Sequence, residues 1–324
     1  MCVIYLLSEN VTAHKSYGRI VLYQGDKKLQ SVPLQELTQV VVSKRAHLST
    51  PLLFELLARE VQVSFVDWQG KVVGTVGGEQ ETLQRLFQQK ECFADVSSAL
   101  TLIKQVACAK LYGQAKVMRR YAKNQHNPAL TELAAYLRQA GHRLTEATDA
   151  EQVRGIEGEA AKRYFQAFAQ VLDGSLWPWP GRQQHPAYEP VNALLNYGYA
   201  FLEREVRLAI VGSGLDCRLG FFHSNNGRKD SLVYDVMETY RALVIDRFVL
   251  KCLNYGTFKP TDFTCTEEGC IIGEAARRVW CQYYEAYMEK PAQLLAGQTP
   301  RNYIRESIAR FSRQVFHTEQ EQTA

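Results

Sequence analysis

Hydrophobic and polar residues alternate along the first part of the chain in the short runs that are typical of β-strands. These runs cover Val3–Leu7, Arg19–Tyr23, Lys28–Pro33, Gln39–Val42, Val61–Val66 and Lys71–Val76. Between the fourth and fifth runs, leucines recur at 52, 53, 56 and 57 with helical spacing. The pattern predicts a small β-rich unit with one helix, which ends at Gly77-Gly78.

From about residue 80 the hydrophobic period changes to that of an α-helix. Segments of this kind lie near 80–93, 96–123, 128–140, 148–172, 187–213, 231–255, 273–287 and 300–315. A Trp-Pro loop at 177–182 and a predicted hairpin at 258–272 interrupt them. The sequence therefore predicts an α+β protein with a β-rich N-terminal domain over 1–78 and a larger, mainly α-helical catalytic domain over 79–324.

Charge and cysteine content narrow the class of protein only a little. The net charge of +4 on 324 residues permits a nucleic-acid partner without demonstrating one. Cys265 and Cys270 lack the second pair that a zinc site needs, so we expect all eight cysteines to be reduced thiols of a cytoplasmic protein. The opening run predicts a strand rather than a signal peptide, and no uncharged stretch is long enough for a membrane span.

Glu157 lies between Gly155 and Gly158 in a helical segment. Glycine has a conformational cost inside a helix, so we expect a partner backbone, a ligand or a nucleic-acid strand to approach closely here. Tyr164 follows about two helical turns later and shares the face of Glu157. The alternative is an ordinary exposed acid near a helix N-terminus, where the helix dipole favours negative charge.

A second group of polar residues surrounds the start of a later helix. His223 ends an apolar element, and Asp235 and Glu238 share one face of the helix that follows. Their neighbours are apolar, and a buried carboxylate is costly unless it is paired or bound to metal. One histidine with carboxylates from separate parts of the chain indicates a Mn²⁺ or Mg²⁺ site. The alternative is a Glu238–Arg241 ion pair beside a core histidine.

Four segments of the helical part resemble the family of CRISPR-associated protein one, the integrase subunit of the bacterial and archaeal spacer-acquisition machinery. These segments are Pro190–Ala200, Gly214–Asp216, Gly220–His223 and Ser231–Glu238. The Gly-x-Glu-Gly segment and the order of a β-rich part before a helical part are also similar to that family. The resemblance therefore covers nearly the whole chain.

The resemblance implies that Glu157, His223 and Glu238 are the metal ligands and catalytic residues. Family members carry Asp or Glu at the last of these positions, and this chain carries Glu238. Asp235 is then either a further catalytic ligand or the acid that orients His223. The implied cofactor is Mn²⁺ or Mg²⁺, and the imidazole ligand favours Mn²⁺ because Mg²⁺ prefers oxygen.

Several residues are candidates for contacts with DNA. Two basic residues lie in the loop between the predicted ligands, and a basic stripe at helical spacing is either a phosphate track or a solvated helix face. A third position, in the Trp-Pro loop, resembles a family residue. The candidates are Arg228, Lys229, Arg182, Tyr164, Lys116, Arg120 and Lys123.

By the same resemblance, the reaction is a transesterification in which the 3′-hydroxyl of a short duplex attacks a phosphodiester at the edge of a CRISPR repeat, with associated endonuclease activity. No conventional general base stands among the motifs, so we expect the metal to activate the hydroxyl. Joining both ends of a fragment needs two protomers with one metal site each. The implied partners are the DNA fragment and the repeat with its leader, a second copy in a homodimer, and a small ferredoxin-like subunit.

Three other functions are compatible with these residues. The same ligands would serve a nuclease on branched DNA, with water as the nucleophile. A non-catalytic DNA-binding scaffold would instead hold the acids in ion pairs. A metallohydrolase for small molecules is the third alternative, against which the scarcity of phosphate-cradling glycine motifs argues weakly.

Overall fold

The computed structural model describes residues 2–67, 70–77, 83–183, 186–223 and 230–317. Its internal contacts divide the chain into two compact units, Met1–Glu81 and Thr82–Ala324. The described part of the first unit is built mainly of strands, and that of the second unit mainly of helices. The predicted α+β class, with a β-rich part before a mainly helical part, is confirmed.

Two four-stranded sheets and one helix, α1 (Thr50–Ala58), make up the described part of the first unit. The strands are β1 (Cys2–Leu6), β2 (Val11–Ser16), β3 (Arg19–Gln24), β4 (Lys27–Pro33), β5 (Leu37–Ser43), β6 (His47–Leu48), β7 (Gln62–Val66) and β8 (Val72–Val76). One sheet has the order β1-β5-β7-β8 and is parallel except for its last pair. The other has the order β4-β3-β2-β6 and is antiparallel except for its last pair.

A single hydrophobic core joins these elements. Val40 of β5, Val63 of β7 and Leu52 of α1 are completely buried in it. The sequence pattern predicts neither the two-residue strand β6 nor the longer strand β2. Its inward residues Val11 and Ala13 are followed by polar residues, so the alternation is too short to stand out.

The second unit is a helical assembly organised around one long helix, α3. The described helices are α2 (Leu83–Ala94), α3 (Val96–Gln125), α4 (Pro128–Glu146), α5 (Ala150–Val171), α6 (Pro190–Val211), α7 (Ser231–Tyr240), α8 (Arg247–Asn254), α9 (Glu274–Met288) and α10 (Pro300–His317). A π-helical turn, Arg241–Asp246, joins α7 to α8. Because α3 packs against α4, α5, α7 and the π turn, it brings together segments that are distant in sequence.

Side-chain caps fix where the central helices begin. Asp95 accepts a 2.7 Å hydrogen bond from the Ser98 amide at the start of α3, and Asp149 accepts one of 2.9 Å from the Gln152 amide at the start of α5. Glu157 consequently lies two turns inside α5. The helix N-terminus therefore does not account for this acid, because the dipole effect fades within the first turn.

The predicted hairpin is present as β9 (Phe263–Thr266) and β10 (Gly269–Ile272). Cys265 and Cys270 face each other across it and form a disulfide, so the expectation of eight reduced thiols is wrong for this pair. No single described helix is long and apolar enough to cross a membrane; the bent pair α2 and α3 passes that test together, by length and composition only.

Candidate active site

Two carboxylates from different helices converge on one lysine ammonium. Nζ of Lys110, on α3, contacts Oε1 of Glu157 on α5 and lies 2.6 Å from Oε2 of Glu238 on α7. The other carboxylate oxygen of Glu238 lies 3.0 Å from Nε of Arg241. The side chains of Lys110, Glu157 and Glu238 are only 13–16% exposed. The fold therefore holds two acids together around a single cation.

The charges in this cluster stabilise one another. Burial alone would raise the pKa of Glu238, but attraction by Arg241 and Lys110 lowers it to about 2. Burial likewise opposes the charged form of Lys110, yet attraction by Glu238 and Glu157 raises the pKa of its ammonium above the usual value. Glu238 is therefore ionised at neutral pH although it is buried.

His223 is positioned by the fully buried carboxylate of Asp235. Oδ1 of Asp235 accepts the His223 amide at 2.8 Å and also contacts Nδ1 of the ring. Oδ2 accepts the Phe221 amide at 2.8 Å and the Phe222 amide at 3.0 Å. Because Nδ1 is held by Asp235, Nε2 is the ring nitrogen available to a metal, which is a common arrangement around metal-binding histidines. Hydrogen bonding to Asp235 also raises the pKa of His223.

These contacts bear on the two alternatives for Glu238 and His223. The Glu238–Arg241 ion pair, which the sequence offered as the alternative to a metal site, is present. The imidazole is not a core side chain, however, because it is 50% exposed. Asp235 uses both oxygens on backbone and ring nitrogens, and this arrangement favours the role of orienting His223.

Gly220 makes this arrangement possible. A Cβ atom at this position would lie 2.6 Å from Oδ2 of Asp235 and 2.7 Å from Cβ of Ser231. Any larger residue would therefore push the loop away from the carboxylate. The glycines that flank Glu157 are different, because no atom of the described chain lies within 4 Å of a Cβ built on Gly155 or Gly158. Among the described residues, the close approach expected at these two glycines is not found.

Two residues that the sequence pattern does not single out hold the His223 segment in place. The Arg154 guanidinium lies 5.0 Å from the centroid of the Phe222 ring and donates a 3.3 Å hydrogen bond to the Phe222 carbonyl. Gln89, on α2, exchanges hydrogen bonds of 2.8 and 2.9 Å with the backbone of Asp216. Arg154 precedes Glu157 by one helical turn, and that spacing is the only signal that sequence reasoning could have used. Gln89 offers none.

A second buried carboxyl group, that of Asp246, lies on the π turn. Tyr164 donates a 2.8 Å hydrogen bond to its Oδ2, and Tyr199 donates one of 2.6 Å to its Oδ1. Burial outweighs these bonds and raises the pKa of Asp246 to about 6. Tyr164 is 0% exposed. The expectation that it contacts DNA is therefore wrong, because its hydroxyl is engaged inside the core.

Arg182 is half-buried and belongs to the same region. Its Nη2 donates a 2.7 Å hydrogen bond to Asn196, and its Nη1 donates one of 3.1 Å to Asn192. The guanidinium also lies over the ring of Tyr199, 5.2 Å from the centroid. Arg182 is thus fixed by α6 and is not a freely moving loop residue.

The remaining DNA-binding candidates fall into two groups. Lys116, Arg120 and Lys123 are exposed on α3, the helix that carries Lys110. Arg228 and Lys229 lie outside the described residues.

A cavity of about 170 Å³ opens beside the carboxylate pair. Cationic, amide and acidic side chains line it, and the aromatic ring of Phe165 closes one part. Its polar lining residues are Lys110, Gln114, Arg182, Tyr199, Glu238, Arg241 and Asp246. Members of both buried clusters, Glu238 and Asp246 among them, therefore line one cavity.

The donor chemistry of the cluster fits a divalent cation. Among the described residues, no three His, Cys, Asp or Glu side chains stand close enough together to hold a metal ion. Glu157 and Glu238 nevertheless both pair with one positive charge, the ammonium of Lys110. Two carboxylates, and an imidazole whose other nitrogen is held by Asp235, are donor types that suit Mn²⁺ or Mg²⁺.

The sequence was compared with models of known protein families. The family described as CRISPR associated protein Cas1 matches residues 4–286. The chain belongs to the Cas1 family. This confirms the resemblance carried by the four segments around His223 and Glu238.

Two Cas1 relatives place the chain more closely. It is 30% identical, over 89% of its length, to a CRISPR-associated exonuclease Cas4/endonuclease Cas1 fusion from Geobacter sulfurreducens, of which it spans 53%. It is 29% identical, over 87% of its length, to the CRISPR-associated endonuclease Cas1 1 of Thermus thermophilus, of which it spans 85%. The chain thus spans about half of the fusion protein and most of the free-standing Cas1.

Two solved structures share the fold. A casposase bound to its integration product has a TM-score of 0.83 at 22% identity, over 99% of this chain and 92% of the other. A chain of a Cas6-RT-Cas1–Cas2 complex has a TM-score of 0.81 at 20% identity, over 99% of this chain and 35% of the other. At these identities the likeness establishes a common Cas1 fold.

Proposed function

We propose that this Cas1 chain is a metal-dependent DNA integrase of CRISPR spacer acquisition. The 3′-oxygen of a short duplex forms a bond to a phosphorus at the edge of a repeat, and the bond from that phosphorus to the 3′-oxygen of the neighbouring nucleotide breaks. The observation that carries the proposal is the pair Glu157 and Glu238 around one cation, beside His223 with Nδ1 held by Asp235. Such sites serve phosphoryl transfer.

Each residue of the cluster has a defined part. Glu157, Glu238 and Nε2 of His223 would hold the divalent cation, and Asp235 keeps the imidazole oriented. Arg241 keeps Glu238 ionised, since its charge lowers the pKa of that carboxyl. When bound, the cation supplies Lewis acidity for the attacking hydroxyl and the phosphoryl oxygens. An imidazole in the donor set favours Mn²⁺ over Mg²⁺.

The exposed cations of α3 and the glycines of α5 supply the proposed DNA surface. Lys116, Arg120 and Lys123 contact phosphates along α3. Gly155 and Gly158 leave the helix backbone beside Glu157 open to a DNA strand, since no atom of the described chain fills that space. From the sequence, Arg228 and Lys229 add contacts in the loop that follows His223, and Arg182 adds one beside the cavity.

The active assembly contains more than one chain. Joining both ends of a fragment takes two protomers, so we expect a homodimer bridged by a small ferredoxin-like subunit, working in the cytoplasm where the array lies. The first unit provides the surface that we propose for dimerisation and partner contacts. Its edge strand β8 supports this, because Val73 and Val76 are 74% and 37% exposed there.

An integration assay tests the proposal. The protein and its partner subunit are mixed with a labelled duplex and a supercoiled plasmid that carries the repeat array, with Mn²⁺, with Mg²⁺ or with chelator. Metal-dependent joining of the label, lost in Glu157→Gln and His223→Ala, is the expected result. Glu159→Gln is the matched control, because this acid of α5 is 49% exposed and forms an ion pair with Arg163.

Other outcomes select the other functions. Metal-dependent cutting of branched DNA without joining, also lost in the Glu157 variant, assigns a nuclease that uses water. DNA binding with neither reaction nor a metal effect assigns a scaffold.

A further inference from the structure

Lys110 stands where the proposed function requires a divalent cation. Its ammonium bridges Glu157 and Glu238, and its side chain is 14% exposed. Two ionised acids held this close would repel each other without an intervening positive charge. The lysine therefore supplies the charge that keeps the two carboxylates facing each other in the metal-free protein.

A divalent ion and an ammonium cannot share this position, because like charges at contact distance repel. Metal binding then requires that Lys110 move, and the side chain needs a second place to lie. Its four-carbon stem is flexible and its ammonium is a compact donor of three hydrogen bonds. The cavity of about 170 Å³ beside the cluster is lined by Lys110 itself and gives it room.

Gln114 marks that second place. It lies on α3 four residues after Lys110, so the two side chains are neighbours on one helix face. Its side chain is 2% exposed, lines the same cavity, and carries an Oε1 atom that accepts no hydrogen bond from the described residues. A buried amide oxygen without a donor is rare in folded proteins, and a displaced ammonium would satisfy it.

We propose that Lys110 is a built-in counterion with two positions, one between Glu157 and Glu238 in the metal-free protein and one at Gln114 when a divalent cation is bound. This inference rests on the proposed metal site. In the second position the ammonium stays in the cavity, near the carboxyl group of Asp246. The device preserves the ligand geometry before the metal arrives and weakens apparent metal affinity by competition.

Mn²⁺ titration of the full chain, followed by electron paramagnetic resonance of the free ion, tests the competition. Lys110→Met should bind Mn²⁺ about tenfold more tightly or better, because an apparent Kd varies inversely with the fraction of molecules whose site is open. The same variant should melt at a lower temperature without metal and recover when Mn²⁺ is added. Lys104→Met is the control, because Lys104 on α3 donates to the Thr145 carbonyl and does not line the cavity.

A double-mutant cycle tests the second position. Gln114→Met should weaken Mn²⁺ binding when Lys110 is present and should leave it unchanged in the Lys110→Met background, since the acceptor matters only to a displaced lysine. Gln114→Met alone is measured in the native background, so the test stands even where Lys110→Met folds poorly. Equal effects in both backgrounds would overturn the second position.

The two proposals fail in different ways. If Glu157→Gln abolishes Mn²⁺ binding while Lys110→Met binds as the native protein does, the counterion is wrong and the metal site stands. If neither the native protein nor Lys110→Met binds Mn²⁺, and Glu157→Gln still joins DNA, the metal site itself is wrong and the counterion falls with it.

Discussion

Replacing Asp235 with asparagine should release His223 and weaken cation binding without unfolding the chain. The carboxylate is fully buried and accepts the amides of Phe221, Phe222 and His223 together with Nδ1 of the His223 ring. An asparagine keeps one acceptor oxygen and presents an NH₂ group to the other donors. With the NH₂ group in place of Oδ2, the Phe221 and Phe222 amides lose their acceptor; in place of Oδ1, the His223 amide loses its acceptor, and the ring contact is kept only in the tautomer that puts the proton on Nε2.

The size of the effect follows from these contacts. A hydrogen bond to a charged acceptor contributes about 1.5–3 kcal/mol. Water can reach the half-buried residues of the loop, so the lower figure applies, and the loss of one or two bonds costs about 1.5–3 kcal/mol of unfolding free energy. Removal of the partner of a metal-binding histidine typically weakens metal affinity about 10- to 100-fold.

Two measurements on Asp235→Asn check this reasoning. Urea unfolding gives the stability change, and hydrogen exchange of the amides at 221–223 with Mn²⁺ titration gives the local effect. Asp95→Asn is the matched control, because its exposed side chain caps α3 with one bond to Ser98 and asparagine caps helices as well as aspartate does. Unchanged amide protection and unchanged Mn²⁺ affinity in Asp235→Asn would refute the role given to this carboxylate.

Three further predictions concern the neighbourhood of the site. Arg154→Met should raise the Kd for Mn²⁺ roughly fivefold, which corresponds to a coupling free energy of about 1 kcal/mol. The reason is that the His223 segment loses its contacts with Arg154 of α5. Mn²⁺ titration measures the change in Kd. Asp246 has a folded pKa of about 6 against 3.8 in the unfolded chain, so folding favours its protonated form. That contribution is complete below about pH 4, and on the order of 3 kcal/mol is lost as the pH rises through 6; Asp246→Asn should remove this slope from urea unfolding curves taken across the range. Gly220→Ala should cost about 1–3 kcal/mol of unfolding free energy, because its Cβ would overlap the carboxylate of Asp235.

Each of these predictions has a control and a contrary outcome. Arg163→Met is the control for Arg154→Met, since Arg163 also lies on α5 over an aromatic ring, 4.1 Å from the centroid of Tyr136, and forms an ion pair with Glu159. Equal effects of the two variants on the Kd for Mn²⁺ would contradict the prediction. If the free energy of unfolding depended on pH equally in the native protein and in Asp246→Asn, the prediction for Asp246 would be contradicted. Gly155→Ala is the control for Gly220→Ala and should stabilise α5 by about 0.5–1 kcal/mol. If Gly220→Ala also raised the free energy of unfolding, the prediction for Gly220 would be contradicted.

Periodicity and turn signals predicted the α+β class and most of the elements in their order, but not β2 or β6. They separated α2 from α3 at the residue that caps the second helix, Asp95. They also placed Asp235 and Glu238 on one helix and Tyr164 on the face of Glu157. Tyr164 was expected to be at a DNA-binding surface, but it lies in the core. This is because α5 packs against α3 and the hydroxyl of Tyr164 reaches Asp246 on the π turn.

The parts that could not be predicted depend on contacts between distant segments. Lys110 looks like any other lysine of α3 in the sequence, and only the packing of α5 and α7 against that helix shows that it is the buried one. The role of Asp235 depends on a loop conformation that Gly220 permits. The family resemblance predicted which residues belong to the site, whereas the structure shows that Glu157 and Glu238 pair with Lys110 and that Asp235 contacts the His223 ring.

Diffraction from crystals of the protein grown with Mn²⁺, with data collected at the manganese absorption edge, tests the central claim most directly. The account predicts one anomalous peak at coordination distance, about 2.0–2.4 Å, from Glu157, Glu238 and Nε2 of His223, with the Lys110 ammonium moved out of its bridging position. A peak held by other residues, or none at this site with Lys110 still between the two carboxylates, would contradict it.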